Sequence, residues 1–84
     1  MSKKAVIYSK ENCPFCVKAK KILTEQGIPY EEKLYQSPDF PSKQYLEEKL
    51  GVPVNTVPQI LLDEGDGLKY VGGCDKLMAK FGVQ

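Results

Sequence analysis

Cys13-Pro14-Phe15-Cys16 sets two thiols three residues apart in a chain that lacks most other catalytic side chains. Among its 84 residues there is no His, Arg or Trp, and all 12 basic residues are lysines. Cys–His and Ser–His catalysis, histidine-ligated zinc and imidazole proton shuttling are thereby excluded within one chain. Thiols, carboxylates, lysines and tyrosines remain. Proline is favoured at the first position of a helix, where its missing N–H costs nothing, so Pro14 places Cys13 at the N-cap. The orphan N–H groups and the positive end of the helix dipole favour an anion there, which lowers a thiol pKa and makes the thiolate nucleophile. Cys16 falls one turn further in, on the face shared with Ala19 and Leu23, where it should be more buried and less acidic. Two thiols at this separation can cycle between dithiol and disulfide.

Other uses of the pair fit less well. Structural zinc needs four ligands, and beyond this pair the chain offers only Cys74. Two inert buried cysteines would not call for a proline-started helix between them. Three cysteines are an odd count for a secreted disulfide scaffold, so a cytoplasmic setting is expected.

The elements that must position the pair are legible from apolar patterning. Ala5-Val6-Ile7-Tyr8 is a short buried-strand run, and the stretch 9–12 is polar loop. Cys16, Ala19, Ile22 and Leu23 repeat at helical spacing, with Gly27 as the stop. A second strand is expected over 28–34, a turn at Ser37-Pro38-Asp39-Phe40-Pro41, and a helix over 42–50 ended by Gly51. Gln59-Ile60-Leu61-Leu62 reads as a third strand, Glu64-Gly65-Asp66-Gly67 as a hairpin turn, 68–71 as the returning strand and 75–81 as a closing helix. The order β-α-β-α-β-β-α predicts an α/β fold whose mixed four-stranded sheet carries three helices. One domain over 1–84 is expected. A net charge of +1 without arginine speaks against a nucleic-acid footprint, and the first apolar run is too short for a signal or membrane segment.

Three stretches together resemble glutaredoxins: Tyr8-Ser9-Lys10 with the cysteine pair, Thr56-Val57-Pro58-Gln59-Ile60, and Gly72-Gly73-Cys74-Asp75. They run in the family's order over nearly the whole chain. The resemblance implies a thioredoxin-like fold, a glutathione-disulfide oxidoreductase activity with no metal, and glutathione as reductant and co-substrate. It makes Cys13 the nucleophile and Cys16 the resolving thiol. Glutathione would be met by Lys10, Phe15, Thr56, Val57, Pro58, Gly73, Cys74 and Asp75, with Pro58 cis and the Val57 backbone free to pair with an extended tripeptide. Asp75 would take the ammonium group of the ligand, cap the last helix, or do both. Partners implied are glutathione and disulfide-bearing proteins such as a ribonucleotide reductase, acting on a monomer.

Several residues depart from the family pattern. Phe15 replaces the more usual tyrosine, Lys76 stands where many members carry a second aspartate, and Val54-Asn55 precede Thr56 without an arginine. Against the family pattern, the loop from Gly51 to Thr56 is also about two residues longer. Lys43 is the best placed substitute cation. A thioredoxin-like carrier served by a flavin reductase would share Cys13, Cys16 and Pro58 but leave Lys10 and the 72–75 stretch without purpose. A glutathione-ligated iron–sulfur binder usually has one thiol and a glycine-type turn. A copper chaperone would show a different element order.

Overall fold

The computed structural model describes residues 3–83. Strand β1 (Lys4–Ser9) leads into helix α1 (Pro14–Glu25), and β2 (Tyr30–Leu34) returns parallel to β1. Helix α2 (Lys43–Leu50) follows, then the antiparallel pair β3 (Gln59–Asp63) and β4 (Leu68–Gly72), and helix α3 (Cys74–Phe81) closes the chain. The sheet order is β2-β1-β3-β4, with β1 antiparallel to β3. This is the mixed four-stranded sheet with three helices that a thioredoxin-like fold requires.

The pleat of β1 divides the core. Ala5 and Ile7 point to one face, where Ala19, Ile22 and Leu23 of α1 and Cys74 and Leu77 of α3 pack with Ile60 and Leu62 of β3. Tyr8 and Val6 point to the other face, toward Leu46 and Leu50 of α2, Phe40 and Val54. Phe40 lies in the stretch read as a turn, yet it is fully buried. Its ring meets Tyr8 edge-on at 5.4 Å and Tyr35 at 5.2 Å.

Local chemistry accounts for the helix ends. Ser42 Oγ accepts from the Tyr45 N–H at 3.1 Å and so caps α2. Gly51 takes a left-handed φ of 74° and ends α2. Most boundaries fall within a residue of expectation, and two of the differences bear on the core and the site. β2 begins at Tyr30 rather than at residue 28, because Ile28 is buried in the core and donates its N–H back to the Leu23 carbonyl at 2.9 Å. Helix α3 starts at Cys74 with Gly73 as N-cap, so Asp75 sits in the first turn and is not the cap. Among the described residues, no helix is long and apolar enough to cross a membrane.

Candidate active site

The chain leaves β1 at Ser9 and crosses the end of the sheet through Lys10, Glu11 and Asn12. Asn12 adopts a left-handed φ of 57°, which asparagine tolerates better than most side chains. That turn delivers Cys13 as the N-cap of α1, with extended backbone and its Sγ accepting the Cys16 N–H at 3.2 Å. A sulfur thus occupies the place where a serine or aspartate oxygen usually caps a helix. Any negative charge it acquires faces N–H groups and the positive end of α1. Cys13 and Cys16 are joined as a disulfide across a Cα separation of 5.2 Å. Cys13 is 7% exposed and Cys16 only 1%, so a partner arriving from solvent meets Cys13 first.

The facing wall is the loop before β3. The Val57–Pro58 peptide bond is cis, and the Val57 carbonyl oxygen lies 3.9 Å from Cys13 Sγ. Phe15, Thr56 and Val57 form a wall common to two adjoining clefts. One runs past Cys13 to Lys10, Tyr35, Lys43 and Asn55; the other runs past Pro58 to Gly73, Cys74, Asp75 and Met78. Lys10 thus lies in the cleft of Cys13, while Pro58, Gly73, Cys74 and Asp75 line the second cleft, which meets the first at Phe15, Thr56 and Val57; the two together form a groove. Lys43 stands in it near Lys10, whereas Lys76 lines neither cleft. Lys76 packs over Gly72 instead: a Cβ there would lie 2.9 Å from Lys76 Cγ, and the φ of 125° already calls for glycine. No side chain caps α3, so its first N–H groups are open at the groove's far end. The groove is cationic at one end and offers N–H donors and the Asp75 carboxylate at the other.

Cys74 contributes its place rather than reactivity. Burial pushes its thiol up, with Lys18 opposing and Asp75 reinforcing the shift, so it stays neutral and weakly nucleophilic.

A further cleft on the other side of the pair is lined by Cys13, Cys16, Lys20, Glu32 and Leu34. There Glu32 Oε2 accepts from Lys20 Nζ at 2.8 Å and from Ser9 Oγ at 2.6 Å. The Lys20 bond first, and the Ser9 bond second, hold the Glu32 carboxyl below its ordinary range. Sequence reasoning missed this cluster because its members come from β1, α1 and β2. It also missed Tyr35, Asn55 and Met78 along the groove; Asn12, directly before Cys13, carried the one usable local signal, that of a left-handed turn.

These observations match what comparison with known proteins finds. A glutaredoxin family model matches residues 5–65. Over 73 residues the chain is 38% identical to glutaredoxin 1 of Rickettsia bellii, covering 86% of this chain and 70% of that one. The fold superposes on a crystal structure of glutaredoxin 1 from Francisella tularensis with a TM-score of 0.74 and 33% identity, covering 96% of this chain and 94% of that one. A buckwheat glutaredoxin, solved as its glutathione complex, aligns with a TM-score of 0.73 and 29% identity, over 95% of this chain and 69% of its own. With a redox-active cysteine pair capping the first helix of that fold, the chain belongs to the glutaredoxin family of thiol–disulfide oxidoreductases.

Proposed function

We propose that the chain is a dithiol, glutathione-dependent reductase of protein disulfides and glutathione mixed disulfides, with Cys13 as nucleophile and Cys16 as resolving thiol. The observation that carries this reading is the groove itself. The more accessible, helix-capping sulfur lies 3.9 Å from the Val57 carbonyl, between a lysine-bearing end and an end of open N–H groups. A tripeptide with a carboxylate at each end and an ammonium at one suits that polarity. Lys10 and Lys43 would take one carboxylate, the N–H groups at Gly73, Cys74 and Asp75 the other, and the Asp75 side chain the ammonium. Phe15, 64% exposed, offers an apolar shelf beside the sulfur, and Val57 and Thr56 offer backbone to an extended ligand.

In the cycle, the Cys13 thiolate attacks a substrate disulfide, forming a mixed disulfide and releasing one thiolate that is protonated by solvent. Cys16, its proton given to water, attacks Cys13 Sγ and expels the second substrate thiolate, leaving the Cys13–Cys16 disulfide. A glutathione thiolate then attacks Cys13 Sγ and frees Cys16. A second glutathione attacks the bound glutathione sulfur, leaving glutathione disulfide and the dithiol. Two electrons pass from two glutathiones to one substrate disulfide. On a glutathionylated substrate, Cys13 alone suffices.

The test is turnover of a glutathionylated peptide with glutathione, glutathione reductase and NADPH. Steady NADPH loss that disappears in Cys13→Ser is the expected result. Activity appearing only with a flavin-dependent thioredoxin reductase would refute glutathione dependence and make the chain an electron carrier.

A further inference from the structure

Gln59 opens β3, and with Ser9 it makes up the buried polar side chains among the described residues; it is 5% exposed. A buried amide needs partners at both ends. Gln59 Nε2 donates to the Thr56 carbonyl at 2.8 Å, and its Oε1 accepts from the Tyr70 hydroxyl at 2.5 Å. Tyr70 belongs to β4, beside the irregularity that shifts the β3–β4 register at Ile60 and Leu61. Neither Gln59 nor Tyr70 lines the groove, whereas Thr56 and Val57 do.

The Thr56–Val57 peptide bond is trans, so the Thr56 carbonyl and the Val57 N–H point opposite ways across one rigid plane. Holding the carbonyl on the buried Gln59 leaves the Val57 N–H on the opposite edge of that plane, directed away from Gln59. That N–H has no partner among the hydrogen bonds of the described residues, and Pro58 has no N–H to offer beside it.

We propose that Gln59, oriented by the Tyr70 hydroxyl, is a positioning residue for glutathione: it fixes the Thr56–Val57 peptide plane so that the Val57 N–H is presented to the extended ligand. This rests on the glutathione reading above. Without the pair, the plane is held less firmly before binding, and the ligand must offset the cost of ordering it.

The experiment compares wild type, Gln59→Met, Gln59→Glu and Tyr70→Phe on a glutathionylated peptide. Reduction of the Cys13–Cys16 disulfide by dithiothreitol, which has no peptide backbone, runs in parallel. Gln59→Met is expected to raise KM roughly five- to thirtyfold, as loss of about 1–2 kcal/mol implies. Tyr70→Phe is expected to raise it about two- to fivefold, and both keep the dithiothreitol rate within about twofold. Gln59→Glu adds a signature that packing alone would not produce. Its protonated form still donates to the Thr56 carbonyl, so its KM relative to wild type falls as pH is lowered from about 8 to 6. Unchanged KM in Gln59→Met and Tyr70→Phe, or an equal fall in the dithiothreitol rate, would overturn the proposal. Should Gln59→Met fail to fold, Tyr70→Phe decides, because it removes one hydroxyl from a 41% exposed residue on an edge strand. Failure of wild type itself on the glutathionylated peptide would instead defeat the underlying glutathione reading.

Discussion

Replacing Phe40 with alanine is expected to weaken the fold severely while leaving the chemistry of the cysteine pair in place. Phe40 is 0% exposed, the bulkiest of the fully buried side chains, and its ring meets Tyr8 and Tyr35 edge-on at 5.4 and 5.2 Å. Truncating such a residue removes its transfer energy and leaves a cavity, which together destabilise by about 3–5 kcal/mol. A domain of 84 residues has a total stability of about 4–13 kcal/mol. Its unfolding entropy near 60 °C is about 0.18 kcal/mol/K, so the midpoint should fall by roughly 15–30 °C. Circular dichroism melts and urea titrations of Phe40→Ala, Phe40→Leu and Phe15→Ala would measure this. Phe15 is 64% exposed, so Phe15→Ala should stay within about 0.5 kcal/mol of wild type and act on activity instead. Phe40→Leu should fall between the two. A midpoint drop below about 5 °C for Phe40→Ala would mean that the aromatic trio does not hold α2 to the sheet, and the account of that core would fail.

Cys16→Ser should keep turnover of glutathionylated peptides but lose reduction of protein disulfides, with the Cys13 mixed disulfide accumulating in intact-mass spectra; undiminished protein reduction would remove Cys16 from the resolving role. Lys10→Gln and Lys43→Gln should each raise KM for glutathionylated substrates by about two- to fivefold, the scale of an exposed charge contact. Unaltered KM in both would empty the cationic end of the groove. The Glu32 carboxyl is held below its ordinary value of 4.5, first by the Lys20 bond and then by Ser9. A carboxyl depressed in the folded state adds stability above its unfolded pKa and loses it as pH falls through the folded one. Glu32→Gln should therefore be less stable than wild type by about 1 kcal/mol at pH 7, a gap that closes below about pH 4. Urea midpoints showing the same gap at both pH values would contradict this electrostatic origin.

What the sequence determined by itself was local. Pro14 beginning α1, Gly51 ending α2 and the Glu64-Gly65-Asp66-Gly67 turn each act through a few neighbouring dihedrals, so composition and spacing expose them. The cysteine pair was legible for the same reason, since one strand, one turn and one helix start suffice to place Cys13 at a cap. Its groove partners were reached through the ordered resemblance of three stretches. Only the tertiary structure could decide that Phe40, inside a proline-bracketed turn, fills the space under α2. The same holds for Ser9, Lys20 and Glu32 meeting on one carboxylate oxygen, and for Tyr70 holding Gln59 behind the Pro58 loop. These pairings depend on strand order, on the β3–β4 register with its shift, and on how α1 lies across the sheet. Those are properties of the packed whole, because a side chain finds a distant partner only after sheet and helices have fixed where both chains run.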